Sequence, residues 1–262
     1  MNKLLTFTFI FLSSMHFSNA SELIQLNQDT FDELEAMQFE STDTGYAEFS
    51  SKDLEIFTSE DQNFIVGIYQ SRTGSEVIDT PYPYNEYMYI LEGEIVTKKI
   101  DGHAHTYRVG ESFMMPKGWM GDFSIVKDLK IIYAVDGINE TENLDTDHIV
   151  KINDPRVFEY DLGDFEDYYP EVSDLTARGL TFFSNKDESF EFGLWESSEG
   201  SISGSETFHE FMYSLKGRIV LINQNGEQLI TSPGEGILVP AGWNGAFSVP
   251  DGVLKIWIAY QE

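Results

Sequence analysis

The chain reads as all-β, two antiparallel β-barrels produced by an internal duplication, and three observations carry that expectation. The stretch from Tyr84 to Ser124 recurs without a gap as Phe208 to Ser248, with about two positions in five identical. Gly and Pro punctuate short runs rich in Ile, Val, Phe and Tyr, the pattern of strands joined by tight turns. Asp101-Gly102 and Asn225-Gly226 sit between paired runs, the strongest short-range hairpin signal.

Taken in order, residues 1–20 hold one Lys, an apolar run from Leu4 to Leu12 and the small residues Ser18-Asn19-Ala20. This is the layout of a secretory signal peptide cut after Ala20, so the protein is expected in the periplasm or outside the cell. The apolar run is short of the roughly 20 residues of a membrane span. Residues 21–44 form an acidic lead-in with a helix expected from Thr30 to Met37, capped by Asp29. Residues 45–136 make the first domain, with a buried strand from Phe64 to Tyr69 and a closing strand from Leu129 to Ala134. Residues 137–174 are an acidic linker, and its Phe158, Tyr160, Phe165, Tyr168 and Tyr169 imply that it packs on the domains. Residues 175–262 make the second domain, closing with Leu254 to Ala259.

Each repeat carries E-x6-G followed by G-x5-P-x-G-W-x-G. These are Glu86, Gly93, Gly110, Pro116, Gly118, Trp119 and Gly121 in the first copy, and Glu210, Gly217, Gly234, Pro240, Gly242, Trp243 and Gly245 in the second. At these residues the chain resembles the cupin superfamily. EYMYILEGE with PKGWMG, EFMYSLKGR with PAGWNG, and Gly193-Leu194-Trp195-Glu196 resemble the (S)-ureidoglycine aminohydrolase-like cupin domain, a group that also includes an ethanolamine-utilisation protein. The resemblance implies a bicupin: two cupin-type jelly-roll β-barrels (RmlC-like), with any site in the barrel lumen.

Metal-binding cupins resemble one another in using H-x-H, a Glu and a later His. Here Glu86 and Glu210 keep the Glu position, but the residues before them are Asp79-Thr80-Pro81-Tyr82 and Ser203-Gly204-Ser205-Glu206, and the later His is Gly121 or Gly245. The usual cupin metal is therefore not expected, and no cofactor is assigned. Glu206 with Glu210 is the remaining candidate for a weak, hard-ion divalent site. His103-Ala104-His105 lies beside a hairpin and reads as an exposed edge, and His209 has the wrong parity for the lumen and reads as an interface or surface residue.

Residues two apart share a strand face. If Glu86 points inward, so do Tyr82, Tyr84 and Met88; in the second copy Glu206, Phe208, Glu210 and Met212 share a face. Trp119 and Phe123, or Trp243 and Phe247, line the same lumen, and Gly in place of the ligand His leaves room beside each Trp. Such a lumen suits a small ligand with a cationic or hydroxyl-bearing part. Glu86 and Glu210 are the candidate acid–base residues. The other reading pairs them with Lys130 and Lys255, one Lys in each closing strand.

The formal net charge of −29 argues against nucleic acid and anionic membranes as partners. With no Cys the core holds without disulfides. Three functions stay open. The first is an exported bicupin that binds a small molecule without a metal. The second is an enzyme, a ureidoglycine aminohydrolase-like hydrolase or an isomerase, using Glu86 or Glu210. The third is a scaffold with filled barrels. A tight inter-domain interface or a homodimer is compatible with each.

Overall fold

Alternating apolar and polar runs bounded by Gly, Pro and Asn become strands almost throughout. A computed structural model describes residues 22–43, 47–100, 102–138 and 148–262; the expected signal peptide, 1–20, lies outside them. In chain order the first half holds β1 (Ile24–Leu26), α1 (Gln28–Ala36), β2 (Glu40–Asp43), β3 (Ala47–Thr58), β4 (Phe64–Ser71), β5 (Gly74–Ile78), β6 (Asn85–Lys99), β7 (Ala104–Arg108), β8 (Ser112–Met115) and β9 (Gly121–Asp136). The connecting segment contributes β10 (Val150–Ile152) and β11 (Glu166–Asp167). The second half holds β12 (Thr176–Ser184), β13 (Phe190–Ser197), β14 (Gly200–Ser205), β15 (His209–Gly217), β16 (Ile219–Asn223), β17 (Gln228–Thr231), β18 (Gly236–Val239), β19 (Asn244–Val249) and β20 (Val253–Tyr260).

The expected jelly-roll barrels are not formed. Hydrogen bonding runs along open paths: a seven-stranded sheet ordered β1-β18-β15-β20-β13-β12-β11, a nine-stranded sheet ordered β10-β8-β6-β9-β4-β3-β2 with β5 and β7 attached to its side, and a four-stranded sheet ordered β14-β19-β16-β17. Among the described residues no sheet closes into a barrel. The local pattern that suggested closure reports strand faces and hairpins, and two facing layers satisfy it as well as a closed cylinder does. In the first half β6 and β9 instead bend over themselves at register shifts near Glu92 and Glu94. Gly93, at φ +92°, sits in that bend with backbone of Asp128 and Leu129 so close that a Cβ would clash.

The helix starts two residues earlier than expected, because Asn27 caps it. Its Oδ1 accepts the N–H groups of Asp29 (3.0 Å) and Thr30 (3.3 Å), and Thr30 Oγ1 accepts the Asn27 N–H in return. The segments flanking each half cross to the other. β1 adds to β18 of the second half, pairing Ile24 with Leu238, and β10 adds to β8 of the first, pairing Val150 with Met114.

The larger sheets pack against each other through an aromatic seam. Tyr87 meets Phe192 with ring centroids 4.8 Å apart, Tyr89 meets Tyr213 at 5.1 Å, and Phe64 stacks on Tyr260 at 5.0 Å. Each such pair adds about 0.5–1.5 kcal/mol beyond the area it buries. Separate apolar clusters fill the interior of the first half, around Met88, Phe113 and Trp119, and of the second, around Met212, Leu221 and Trp243. Among the described residues, no helix is long and apolar enough to cross a membrane.

Phe192→Ala is expected to lower the unfolding free energy by about 3–5 kcal/mol, since the ring is fully buried in the seam. Phe158→Ala, at a ring 47% exposed, should change it by about 0.5 kcal/mol or less. Urea denaturation of both variants checks this, and equal losses would contradict the seam's role.

Candidate functional site

The turn leading into β15 is clamped by backbone. The Glu206 N–H donates to the Trp243 carbonyl and the Gly242 N–H donates to the Glu206 carbonyl, both at 2.8 Å. The first half repeats the clamp, with Tyr82 N–H donating to Trp119 O at 3.0 Å and Gly118 N–H to Tyr82 O at 2.7 Å. Glu206 and Tyr82 therefore hold the same place in the two copies. Along β15, Phe211 and Tyr213 go to the seam while Glu210 and Met212 turn to the interior. On β20, Leu254, Ile256 and Ile258 go to the seam while Lys255 and Trp257 turn inward.

These inward residues line a cleft of about 740 Å³, a size suited to a small organic ligand. Its aromatic walls are Trp195, Trp243, Trp257, Phe208 and Phe247, with Tyr168 and Tyr169 from the connecting segment at its side. Lys255, only 5% exposed, donates from Nζ to Glu210 Oε1 at 2.8 Å. The same ammonium lies 4.9 Å from the Trp195 ring centroid and 5.2 Å from that of Phe247. A charge buried this far needs both the carboxylate and the ring faces to replace water. Glu206 Oε1 accepts the Thr207 N–H at 3.1 Å. Burial first, and then the Glu210 carboxylate, push the Glu206 carboxyl up to about 7. An acid in that range, facing a cleft, can exchange a proton or meet a cation at neutral pH.

The first half uses the same positions differently. Glu86, 8% exposed, accepts a short hydrogen bond from the Tyr82 hydroxyl, and the Tyr82 and Tyr84 rings meet edge-on at 4.9 Å. Burial pushes Glu86 up to about 7, with Asp53 and Glu76 adding to the rise and the Tyr82 hydroxyl opposing it. Asp53, which accepts the Tyr133 hydroxyl at 2.8 Å, is itself pushed up to about 6, chiefly by burial. Tyr82, Tyr84, Met88, Trp119 and Phe123 all belong to this packed interior.

Of the two expected glutamate–lysine pairs, Glu210–Lys255 forms and Lys130 turns to other glutamates than Glu86. Strand register explains the difference: Lys255 lies opposite Trp195 and Ser214, whereas Lys130 lies opposite Gln70 and Glu92. In the first half Ile131, opposite Tyr69 and Ile90, takes the position of Lys255. A one-residue offset between the closing strands puts Lys130 on the other face. There it pairs with Glu35 at 2.7 Å and Glu92 at 3.1 Å.

The room expected beside each Trp is also taken. A Cβ at Gly121 would lie 2.8 Å from Trp119 Cη2, and one at Gly245 would lie 2.5 Å from Trp243 Cζ2, because the rings fold back over these glycines. His103 and His105 are exposed on the hairpin edge. His209 is buried at the seam against Phe57, its Nδ1 accepting the Ala241 N–H. Among the described residues no group of three or more His, Asp or Glu is placed to hold a metal ion. Beside Glu210, the place a cation would take is filled by Lys255 Nζ.

The structure brings together Glu206, Phe208, Glu210, Met212, Trp243 and Phe247 in one cleft. Sequence reasoning missed Trp257 and the placement of Trp195 there. Lys255 and Trp257, two apart on one strand, carried the signal. It also missed Asp53, Glu76 and Tyr133 around Glu86, which lie far apart in sequence.

Lys255→Met strands the Glu210 carboxylate next to Glu206. It should cost stability toward the low end of ~3–5 kcal/mol, and Glu210→Gln added to it should recover part of the loss. An additive double-mutant cycle would show that the pair is not coupled. Glu86 gives a pH test. Its folded-state value lies above the ordinary 4.5, so its favourable contribution is complete below that pH and is lost as pH rises to about 7. Glu86→Gln should therefore match the parent at acid pH and exceed it by up to roughly 3 kcal/mol at pH 8. Parallel stability–pH curves for the two proteins would contradict the burial effect.

Comparison with known proteins agrees with this architecture. The model of the EutQ-like cupin domain matches residues 58–131 and 184–257, one segment in each half. A protein of unknown function from Pseudomonas syringae pv. tomato has a crystal structure that superposes with a TM-score of 0.69 at 18% identity, covering 91% of this chain and 99% of that one. A cupin 2 conserved barrel domain protein from Leptotrichia buccalis gives 0.57 at 14% identity, covering 94% and 99%. A putative glyoxylate-induced protein from Pseudomonas aeruginosa gives 0.60 at 9% identity, covering 94% and 92%. At such identities the likeness is one of fold. No curated protein matches the sequence. With a matched domain in each half and more than half of its length covered, the chain belongs to the EutQ-like cupin domain family.

Proposed function

We propose that the second-half cleft binds a small organic cation, an amine or a related nitrogenous compound. The supporting observation is the Glu206 carboxyl in a cleft walled by Trp195, Trp243, Trp257 and Phe208, where the protein's own ammonium, Lys255, is already held by Glu210. A ligand cation next to Glu206 gains a charge-assisted hydrogen bond, and its carbon skeleton gains ring faces. Bound in this way, the cation favours ionised Glu206, so binding couples to loss of that proton.

A second reading is favoured by the same carboxyl. With its value near neutrality, Glu206 can serve as general acid or base in a hydrolase or isomerase acting on the bound compound. Glu210, fixed by Lys255, then orients the ligand. We also propose export, on the strength of the leader at residues 1–20.

Titration with ethylammonium, guanidinium, urea-type compounds and sugars can be followed by tryptophan fluorescence, because three of the four Trp residues line the cleft. Affinity for the cations should rise as pH increases through about 7 and Glu206 ionises. Glu206→Gln should weaken cation binding by about tenfold or more and flatten the pH profile. Preference for the neutral compounds, or a pH-independent affinity, would sink the cation reading. Turnover of a bound compound that disappears in the same variant would establish the enzymatic one. N-terminal sequencing of the exported protein should begin at Ser21, and an intact Met1 would refute export.

A further inference from the structure

The cleft has one wall that does not come from the duplicated unit. β11 forms the edge of the seven-stranded sheet by pairing with β12, Glu166 opposite Ala177 and Asp167 opposite Thr176. The chain then leaves that edge and crosses to β14, the edge of the four-stranded sheet. On the first side Tyr168 N–H donates to Leu175 O at 3.2 Å. On the far side Asp174 N–H donates to Ser201 O at 3.2 Å, and Ser173 forms a bridge with Ile202. Between these anchors a tight turn places Tyr169 at φ +49°, with Val172 N–H donating to Tyr169 O at 2.9 Å. The strap thus spans the side where the two sheets fail to join.

Its aromatic residues face the ion pair through one intermediary. Tyr168 meets Trp195 edge-on at 5.5 Å and Tyr169 at 4.6 Å, and Trp195 in turn covers the Lys255 ammonium at 4.9 Å. Burial, and the nearby Glu210 and Glu206 carboxylates, hold the Tyr168 hydroxyl well above the ordinary tyrosine range. Tyr168 lines the cleft together with Glu206 and Glu210, while the outer side of the strap is open to water, with Tyr168 36% and Tyr169 55% exposed.

We infer that the Tyr168–Asp174 strap is the specificity-determining wall of the cleft, with Tyr168 setting the size of cation that fits beside Glu206 and Glu210. This rests on the cation-binding reading of the same cleft. The ligand class narrows to small alkylammonium or guanidinium-type cations. A bulky aryl-substituted cation would have to displace Tyr168 from Trp195.

The test has one arm independent of any ligand. Acrylamide quenching of Trp195, obtained as the difference between each protein and its Trp195→Phe counterpart, should rise in Tyr168→Ala and stay at the parental level in Tyr168→Phe, which keeps the ring. Unchanged access in Tyr168→Ala, in a protein whose circular dichroism and melting are parental, would overturn the wall. If Tyr168→Ala melts early, Tyr169→Ala replaces it, removing the ring that supports Tyr168, with the same expectation. In the second arm the parent should prefer ethylammonium to benzylammonium, and Tyr168→Ala should narrow that preference by about tenfold. Cation binding with an unaltered preference overturns the selectivity. Increased acrylamide access in a protein that binds neither cation keeps the wall and refutes the cation reading.

Discussion

The seam of buried rings between the two large sheets constrains everything else in the molecule. Phe64, Tyr87, Phe192, Tyr213 and Tyr260 occupy one face of their strands. Because side chains alternate along a strand, the residues between them must face the opposite way, into the interior of each half. Glu210, Met212, Lys255 and Trp257 reach the cleft for this reason. The strands that cross between halves, β1 onto β18 and β10 onto β8, tie the seam at its margins. A slip of any central strand would expose its seam residues and bury its polar ones, so the register that makes the cleft is the register that makes the core.

Within this shared frame the two copies differ in chemistry at a few interior positions. The backbone clamp is the same, but it carries Tyr82 in one half and Glu206 in the other. Tyr82 donates to Glu86 and seals it among tyrosines, whereas Glu206 adds a second carboxylate that Lys255 offsets only in part. The first half thereby becomes a packed interior with a satisfied acid. The second keeps an acid with capacity for a partner. Folding of Trp243 over Gly245 and of Trp119 over Gly121 shows that the Gly at each of these positions permits close ring packing.

Failure of the sheets to close has a consequence for the cleft. A closed cylinder would admit ligands only at its ends, and every wall would come from the repeat. Here the open side between β12 and β14 is crossed by the connecting segment, which brings Tyr168 and Tyr169 to the cleft. Composition alone marked that segment as an acidic linker with several rings. Its anchors are backbone hydrogen bonds to two different sheets, which local composition does not encode.

Much of the fold was legible in the amino-acid order. The gapless repeat, the Gly and Pro punctuation and the two hairpin signals specify strand identity, because turn geometry and face alternation are local properties. The inward face of β15, with Glu210 and Met212, followed from the same alternation. Other features depended on contacts distant in sequence. Lys130 and Lys255 look equivalent in their closing strands, yet pairing with β4 and β13 offsets them by one residue and sends them to opposite faces. Asp53 and Tyr133 meet across β3 and β9, and sheet closure depends on which edges find partners. Sequence by itself determined which residues alternate and where the chain turns. Tertiary structure alone decided which acid is neutralised, which is sealed and which faces an open cleft, because charge pairing and burial depend on the register between strands that no single stretch of chain contains.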